Sequence, residues 1–341
     1  MKDAVISEDS LEIAMKKCLK GVTYKSSVAR FYLNSVDEIS TLHKELSEGT
    51  YKPRKPKKFK VYYPKERDIV SIPFRDRVVQ RSFNDLSIYP QMTKSFIYDN
   101  AACQRGKGTD FARNRVKEML VDFYHKYGTE GYVLKTDISK YYDSIPHDVA
   151  GYVFRKNLDD WSYEQAMNII KHQYPGDIGF NPGSQMIQIL GIALPNSIDH
   201  AIKEKYHVKY YSRYQDDSLC ICQSKEFLEE LLIHIEEMYA KLGLKLNKKK
   251  SKIYSLSRGF EYLGFDFRMA KTGKVLMTVS ATKVKKERKH LKNMVRSCRD
   301  GKIRKEIVDA HFKGIMNYYK KGDSYKLVEN MYKYYKELWE E

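Results

Sequence analysis

Two aspartates, Asp216 and Asp217, stand side by side in KYYSRYQDDSLCICQS, residues 209–224. The runs of tyrosine, cysteine and aliphatic residues on either side read as a buried hairpin, with two negative charges at its tip. A third acid, Asp137, ends an apolar strand begun by Tyr132, Val133 and Leu134. If these strands are neighbours in one sheet, three carboxylates converge on one edge. Carboxylates that close raise one another's pKa, and divalent cations offset the repulsion. Mg²⁺ binds through one or two carboxylates and completes its shell with phosphate and water. Two such ions about 3.5–4 Å apart activate an attacking hydroxyl and stabilise a leaving pyrophosphate. Paired aspartates also favour ordinary turns through side-chain to backbone bonds. The apolar flanks argue against a merely solvated turn here.

The rest of the chain supplies a polyanion-binding surround. Its 341 residues carry a formal charge of +18, which implies a polyanionic partner. The charge is clustered. KPRKPKKFK, residues 52–60, holds six basic residues and no acid, and residues 271–341 hold 19 Lys/Arg against 9 Asp/Glu. Such clustering favours a surface that follows phosphates. With 42% hydrophobic and 31% charged residues the chain reads as globular, not disordered. No apolar run reaches the ~18 residues of a membrane span, and the N-terminus is too charged for a secretory signal. Five cysteines without ligand spacing imply reduced thiols in a cytoplasm, with Cys220 and Cys222 as small core residues.

The elements that must position the acids follow from periodicity and punctuation. Residues 8–48 read as helical, with a polar loop after Gly21. KFKVYYPKERDIVSIP reads as a hairpin, and RDRVVQRSFNDLSIYPQM as a helix stopped near Pro90. A helix capped by Thr109 should run to Gly128. Helices are expected over about 147–172, then one long helix in SQMIQILGIALPNSIDHAIKEKY, bent near Pro195. EFLEELLIHIEEMYAKLGL is amphipathic and ends at Gly243. LKLNKKKSKIYSL and FEYLGFDFRM read as short strands, and basic helices follow from about 282. The order predicts an α+β fold, helices on one side of a sheet, followed by a basic helical bundle.

These residues resemble a known family. YQDD at 214–217 resembles the YxDD box of reverse transcriptases, and LKTDISKYYDSI at 134–145 resembles their first catalytic box. FEYLGFDF at 260–267 looks like the primer grip, and LGLKLNKKKSKIY like the lysine-bearing box before it. YPKERDIVSIPFRDRVVQRS and NAACQRGKGTDFA resemble fingers blocks of group II intron and related bacterial enzymes. The resemblance runs from about residue 50 to 320, with the motifs in family order. The short chain looks most like enzymes of diversity-generating retroelements and those linked to phage defence. GFNPGSQMIQ at 179–188 resembles the family's glycine box, with Ile187 departing from the expected Ser, and Gln215 stands where Met or Ala is frequent. The implied architecture is a right-hand polymerase: fingers over 1–130 with an N-terminal helical region, palm over 131–268 with a helical insertion at about 147–180, and a basic helical thumb over 269–341.

The resemblance implies the following roles. Asp137 and Asp216 hold two Mg²⁺ ions (Mn²⁺ able to substitute), with Asp217 as the weaker third carboxylate and the Ile138 carbonyl as a backbone ligand. Tyr142 is the steric gate against a ribose 2′-OH, while Tyr141 packs in the core because neighbouring strand positions alternate faces. Lys65 and Arg67 contact the incoming triphosphate. Arg105 touches template or nucleotide, Gly183 admits the nucleotide to the backbone, and Gln188 packs by the templating pair. Lys250 protonates pyrophosphate, in competition with Lys248 and Lys249. Tyr262, Leu263 and Gly264 position the primer end. His147 reads as a surface residue without a role.

The expected activity is therefore RNA-directed DNA polymerisation from a DNA or RNA primer with dNTPs. The expected partner is a structured non-coding RNA of a retroelement or antiviral defence system, with a small accessory protein by analogy and no membrane. One rival is a related polymerase: a template-independent or protein-primed nucleotide polymerase for phage defence, or an RNA-dependent RNA polymerase. The other is an inactive RNA-binding or splicing scaffold.

Overall fold

The structure, a computed structural model, describes residues 1–62 and 66–340. The N-terminal segment is helical as expected: α1 (Lys2–Ile6), α2 (Glu8–Leu19), α3 (Ser26–Leu33) and α4 (Ser35–Ser47). The Ser7 hydroxyl starts α2 by accepting from the Ser10 amide at 3.3 Å, satisfying a donor the helix leaves open. β1 (Lys57–Val61) and β2 (Arg67–Ser71) form the expected antiparallel hairpin.

Two proline expectations are corrected. Residues 74–92 do not stop at Pro90. α5 (Phe74–Phe83) widens into a π-helical turn, Asn84–Ile88, and Pro90 sits in the first turn of α6 (Tyr89–Met92). The Tyr89 amide still bonds the Asn84 carbonyl, so the helix runs on through Pro90. A proline inside a helix lacks a donor and crowds the preceding turn, and the π-helical widening lies directly before it. After α7 (Thr109–Tyr127), β3 (Tyr132–Thr136), α8 (Tyr141–Ser144), α9 (His147–Asn157) and α10 (Asp160–Gln173), the long helix is interrupted rather than bent. α11 (Gln185–Ala193) ends before Pro195, α12 (Asn196–His200) restarts after it, and Ala201–Lys205 is again π-helical. Pro195 has no N–H for the Gly191 carbonyl. The Tyr141 hydroxyl bonds that carbonyl instead.

β4 (Tyr210–Tyr214), β5 (Asp217–Cys222), α13 (Lys225–Lys241) and β6 (Lys252–Ser255) follow, then β7 (Phe260–Tyr262), β8 (Phe265–Met269) and β9 (Val275–Val279). The LKLNKKKSKIYSL stretch is a strand only over β6, and β9 is a strand that the sequence reading did not include. α14 (Ala281–Arg299), α15 (Lys305–Tyr319) and α16 (Tyr325–Glu340) complete the chain. Two sheets besides the β1-β2 hairpin result, one in the order β4-β5-β3-β6 and one in the order β7-β8-β9. β3–β6 and both pairings of the β7-β8-β9 sheet are antiparallel.

The chain divides into two compact units. The first gathers Met1–Gly108, Thr136–Ser218 and Leu231–Ser251, and the second Thr109–Lys135, Leu219–Glu230 and Lys252–Glu341. In the first, α1, α2 and α5 pack through residues such as Val5, Leu11, Val78 and Phe83, all nearly inaccessible. The second closes the β7-β8-β9 sheet and α14–α16 over Phe265, Phe267, Leu291, Phe312 and Met316. Burial alternates along β7, β8 and β9, the period-two pattern of a sheet with one covered face. No helix among the described residues is long and apolar enough to cross a membrane.

Candidate active site

The acid-bearing hairpin is braced from below by a buried charge. Arg213 and Asp199 are both 0% exposed and pair at 2.5 Å. Arg213 Nε also donates to Asp199 Oδ1 at 2.7 Å, and its two terminal nitrogens donate to the carbonyls of Ile192 at 2.8 Å and Gln215 at 2.9 Å. The Tyr211 hydroxyl donates to the same carboxylate at 2.6 Å. An ion pair removed from water must be saturated with hydrogen bonds to persist, and this one is. Its effect is to fix the tip, where Gln215 takes the left-handed conformation at φ 59 and Asp216 and Asp217 follow. Reading the sequence missed Arg213 as a functional residue. The available signal was a charged side chain inside an otherwise buried strand.

β3 meets this hairpin through hydroxyls. Thr136 Oγ1 and Ser218 Oγ are 2.6 Å apart, and each is the chain neighbour of one acid, Asp137 and Asp217. Asp137 is held on every side. Its backbone carbonyl accepts from the Asn247 amide at 2.7 Å. Its Oδ2 accepts from Asn247 Nδ2 at 3.1 Å, and its Oδ1 from Lys250 Nζ at 2.9 Å. The bonds Ser139 N to Lys245 O and Asn247 N to Asp137 O flank the Ile138–Leu246 bridge. That pattern makes Ile138 a non-hydrogen-bonded pair member, so its carbonyl points away from Leu246.

The electrostatics match three acids crowded together. Burial first, then the charges of Asp217 and Asp137, push the Asp216 carboxyl up to about 6, while Lys250 opposes the rise. The hydrogen bond to Asp137 raises the Lys250 ammonium above its ordinary value. Among the described residues, Lys250 is the one of the three competing lysines paired with an acid of the site; Lys248 pairs with Glu236. Among the described residues, no three Asp, Glu, His or Cys side chains form a ready-made metal cage. The donor set nevertheless fits a hard divalent cation that keeps water and phosphate in its shell. An ammonium already sits as a stand-in cation on Asp137, and Asp216 is buried beside two further carboxylates.

Around the acids, Tyr142 and its neighbours occupy a one-turn helix, α8, rather than a strand. Tyr141 is the core residue, as expected, but because its hydroxyl caps Gly191. Tyr142 is half-buried and donates to Gln215 Oε1 at 2.6 Å. Burial drives its hydroxyl far above the ordinary value, so it stays a proton donor. Gln188 donates to the Pro182 carbonyl at 2.9 Å and lines a cleft of about 260 Å³ with Tyr89, Cys103 and Arg105. The Arg105 guanidinium lies over the Tyr89 ring at 4.8 Å. A Cβ on Gly183 would meet the Val70 carbonyl at 2.8 Å, so its bareness lets β2 approach closely. His147 is not a bare surface residue; it stacks on Phe180 at 4.5 Å and bonds the Gly179 carbonyl at 2.9 Å. Arg67 opens β2, and Lys65 lies outside the described residues.

Tyr262, Leu263 and Gly264 belong to the second unit. Leu263 and Gly264 turn β7 into β8 in left-handed conformations, φ 45 and 81. Arg113 donates to the Leu263 carbonyl at 3.3 Å and the Tyr318 hydroxyl to the Gly264 carbonyl at 3.1 Å. This tight turn is therefore pinned by two side chains from distant helices, α7 and α15.

Comparison with known proteins agrees with this geometry. Over 186 residues the chain is 25% identical to the retron Ec48 reverse transcriptase of Escherichia coli, a stretch covering 54% of this chain and 43% of that enzyme. The chain thus spans less than half the length of that relative. A solved telomerase from Candida albicans, in complex with a fragment of telomeric RNA, superposes with a TM-score of 0.51 at 11% identity. That match covers 85% of this chain and 61% of the telomerase chain, and places the α+β fold among right-hand polymerases. Residues 55–267, which carry Asp137, the YQDD tip and the Lys250 box alike, match the family model described as reverse transcriptase (RNA-dependent DNA polymerase). A match over that much of the chain, on a site braced in this way, makes the chain a member of the reverse transcriptase family.

Proposed function

We propose that the protein is an RNA-directed DNA polymerase that extends a primer 3′-OH with dNTPs. The observation that carries this reading is that Asp137 lies near enough to the tip for its charge to raise the Asp216 carboxyl, with Thr136 and Ser218 joined at 2.6 Å and Lys250 Nζ on Asp137 at 2.9 Å. Asp137 and Asp216 would hold two Mg²⁺ ions, with Asp217 as third carboxylate and the Ile138 carbonyl beside them. When bound, such a pair activates the attacking hydroxyl and carries the charge of the departing pyrophosphate.

The chain's own residues do the rest. Lys250 leaves Asp137 as a cation arrives and, still protonated, stands ready to give its proton to pyrophosphate. The ring of Tyr142 occupies the space that a ribose 2′-OH would need. Arg105 and Gln188, on one cleft, meet template and nucleotide. Lys65 and Arg67 meet the triphosphate, and the pinned turn at Tyr262–Gly264 orients the primer end. The basic residues of α14 (Lys283, Lys285, Lys286, Arg288) offer phosphate contacts. The likeness to a retron reverse transcriptase supports a structured RNA as the natural template, in a retroelement or defence setting.

The test is extension of a primed RNA template with dNTPs or rNTPs, followed by sequencing of the product. A template-complementary DNA that disappears in D216N supports the reading. Untemplated homopolymer, preference for rNTPs, or a cellular phenotype that survives loss of Asp216 and Asp217 would refute it.

A further inference from the structure

Tyr142 is held from two directions by residues that the carboxylate chemistry does not explain. Its hydroxyl donates to Oε1 of Gln215 at 2.6 Å. The other end of that amide, Nε2, donates to Cys103 Sγ at 3.1 Å, and the Cys103 thiol faces Gln188 Oε1 at 3.8 Å. Behind the ring runs α11. A Cβ built on Gly191 would fall 2.6 Å from the Tyr142 hydroxyl oxygen and 2.8 Å from its Cε1. Cys103 and Gln215 both sit in left-handed backbone, φ 51 and 59, conformations that persist only where the surroundings enforce them. Arg213 enforces the one at Gln215 by holding its carbonyl.

We propose that Gln215 and Gly191 set the sugar selectivity of the polymerase by locking Tyr142, the first by tethering its hydroxyl and the second by leaving the ring its seat. This rests on the polymerase reading, in which Tyr142 stands beside the sugar of the incoming nucleotide. A side chain rejects a 2′-hydroxyl only as far as moving it aside is costly. A ring fixed at its hydroxyl end and backed by a helix cannot swing about χ1 to make room. The same ring, released at its tip, can turn towards another staggered rotamer and admit ribose. Gln215 is thus a positioning residue that acts through Tyr142.

The experiment measures kcat/KM for each dNTP and its matching rNTP on one RNA template. Q215M and G191A each lower the dNTP-over-rNTP ratio by roughly tenfold, the scale of one lost hydrogen bond. Y142F lowers it as Q215M does, and the double variant Y142F/Q215M lowers it no further, because both changes remove the same bond. A wild-type ratio in Q215M, or additive losses in the double variant, overturns the proposal. Y142A separates this outcome from failure of the polymerase reading. Full discrimination without the ring removes Tyr142 from the sugar contact altogether. Lost discrimination in Y142A, beside unchanged ratios in Q215M and G191A, leaves the gate standing and removes only its lock.

Discussion

The ammonium of Lys250 rests 2.9 Å from Oδ1 of Asp137, so a positive charge already occupies the carboxylate edge where a divalent cation is expected. The two cations compete for one oxygen. Lys250 is 65% exposed and Asp137 only 12% at the side chain, so the lysine can withdraw into water while the aspartate cannot.

K250M should therefore lower the Mg²⁺ concentration for half-maximal primer extension. The effect should be on the order of threefold, since a largely exposed pair is worth little. The maximal rate should fall at the same time if Lys250 supplies the proton to pyrophosphate. A Mg²⁺ titration of extension rate reads both quantities. An unchanged half-saturation would show that the lysine does not compete.

Asp216 makes the metal-free fold sensitive to pH. Its folded carboxyl is pushed up to about 6 by burial and by Asp217 and Asp137, above the ordinary carboxylate value. The folded chain therefore binds the proton more tightly than the unfolded chain does. The stabilisation is complete below the unfolded value and is lost as pH rises through about 6. In EDTA, D216N should raise the melting temperature more at about pH 7.5 than at about pH 4. Mg²⁺ at the higher pH should narrow that difference by binding the wild type preferentially. Thermal melts in the four conditions decide it.

The buried pair beneath the tip should dominate local stability. R213A or D199A leaves an unpaired charge that is 0% exposed, and each should cost about 3–5 kcal/mol. R213M/D199L, which removes both charges, should recover part of that loss. Urea unfolding with unchanged m-values is the measurement. Single losses of less than about 1 kcal/mol would mean that the pair is not the brace.

At the pinned turn, G264A must adopt φ 81 and place a Cβ 2.5 Å from the Tyr318 hydroxyl. The backbone conformation alone should cost about 1–2 kcal/mol. If the turn orients the primer, KM for primer–template should rise while KM for dNTP holds. Steady-state kinetics with each substrate varied in turn separates the two.

Much of the site was legible in the residues themselves. An Asp pair between two buried runs and a third Asp ending an apolar run specify acids that local rules would not bury, so their role could be inferred before any fold was known. Short apolar runs placed β3, β4 and β5 and a 3.6-residue stripe placed α13, because both are local properties. The prolines were harder to read. On sequence alone, Pro90 marks a stop and Pro195 a bend in a helix. Pro90 instead lies within a continuous helix just after a π-helical turn, and Pro195 ends α11 and frees a carbonyl for Tyr141. Which of these a proline does depends on what stands ready to accept or replace its missing N–H, and that partner is distant in sequence.

The amino-acid sequence by itself determined most of the element types, the candidate acids and the family, since each is written in side-chain type and short-range spacing. Only the tertiary structure decided that Arg213 is buried on Asp199, that Lys250 is the one of the three lysines paired with Asp137 among the described residues, and that Gln215 and Gly191 close on Tyr142. Those pairs lie 14, 113, 73 and 49 residues apart. Contacts between such positions form where packing brings surfaces together and compensates the desolvation of their polar groups, and no local pattern encodes that balance.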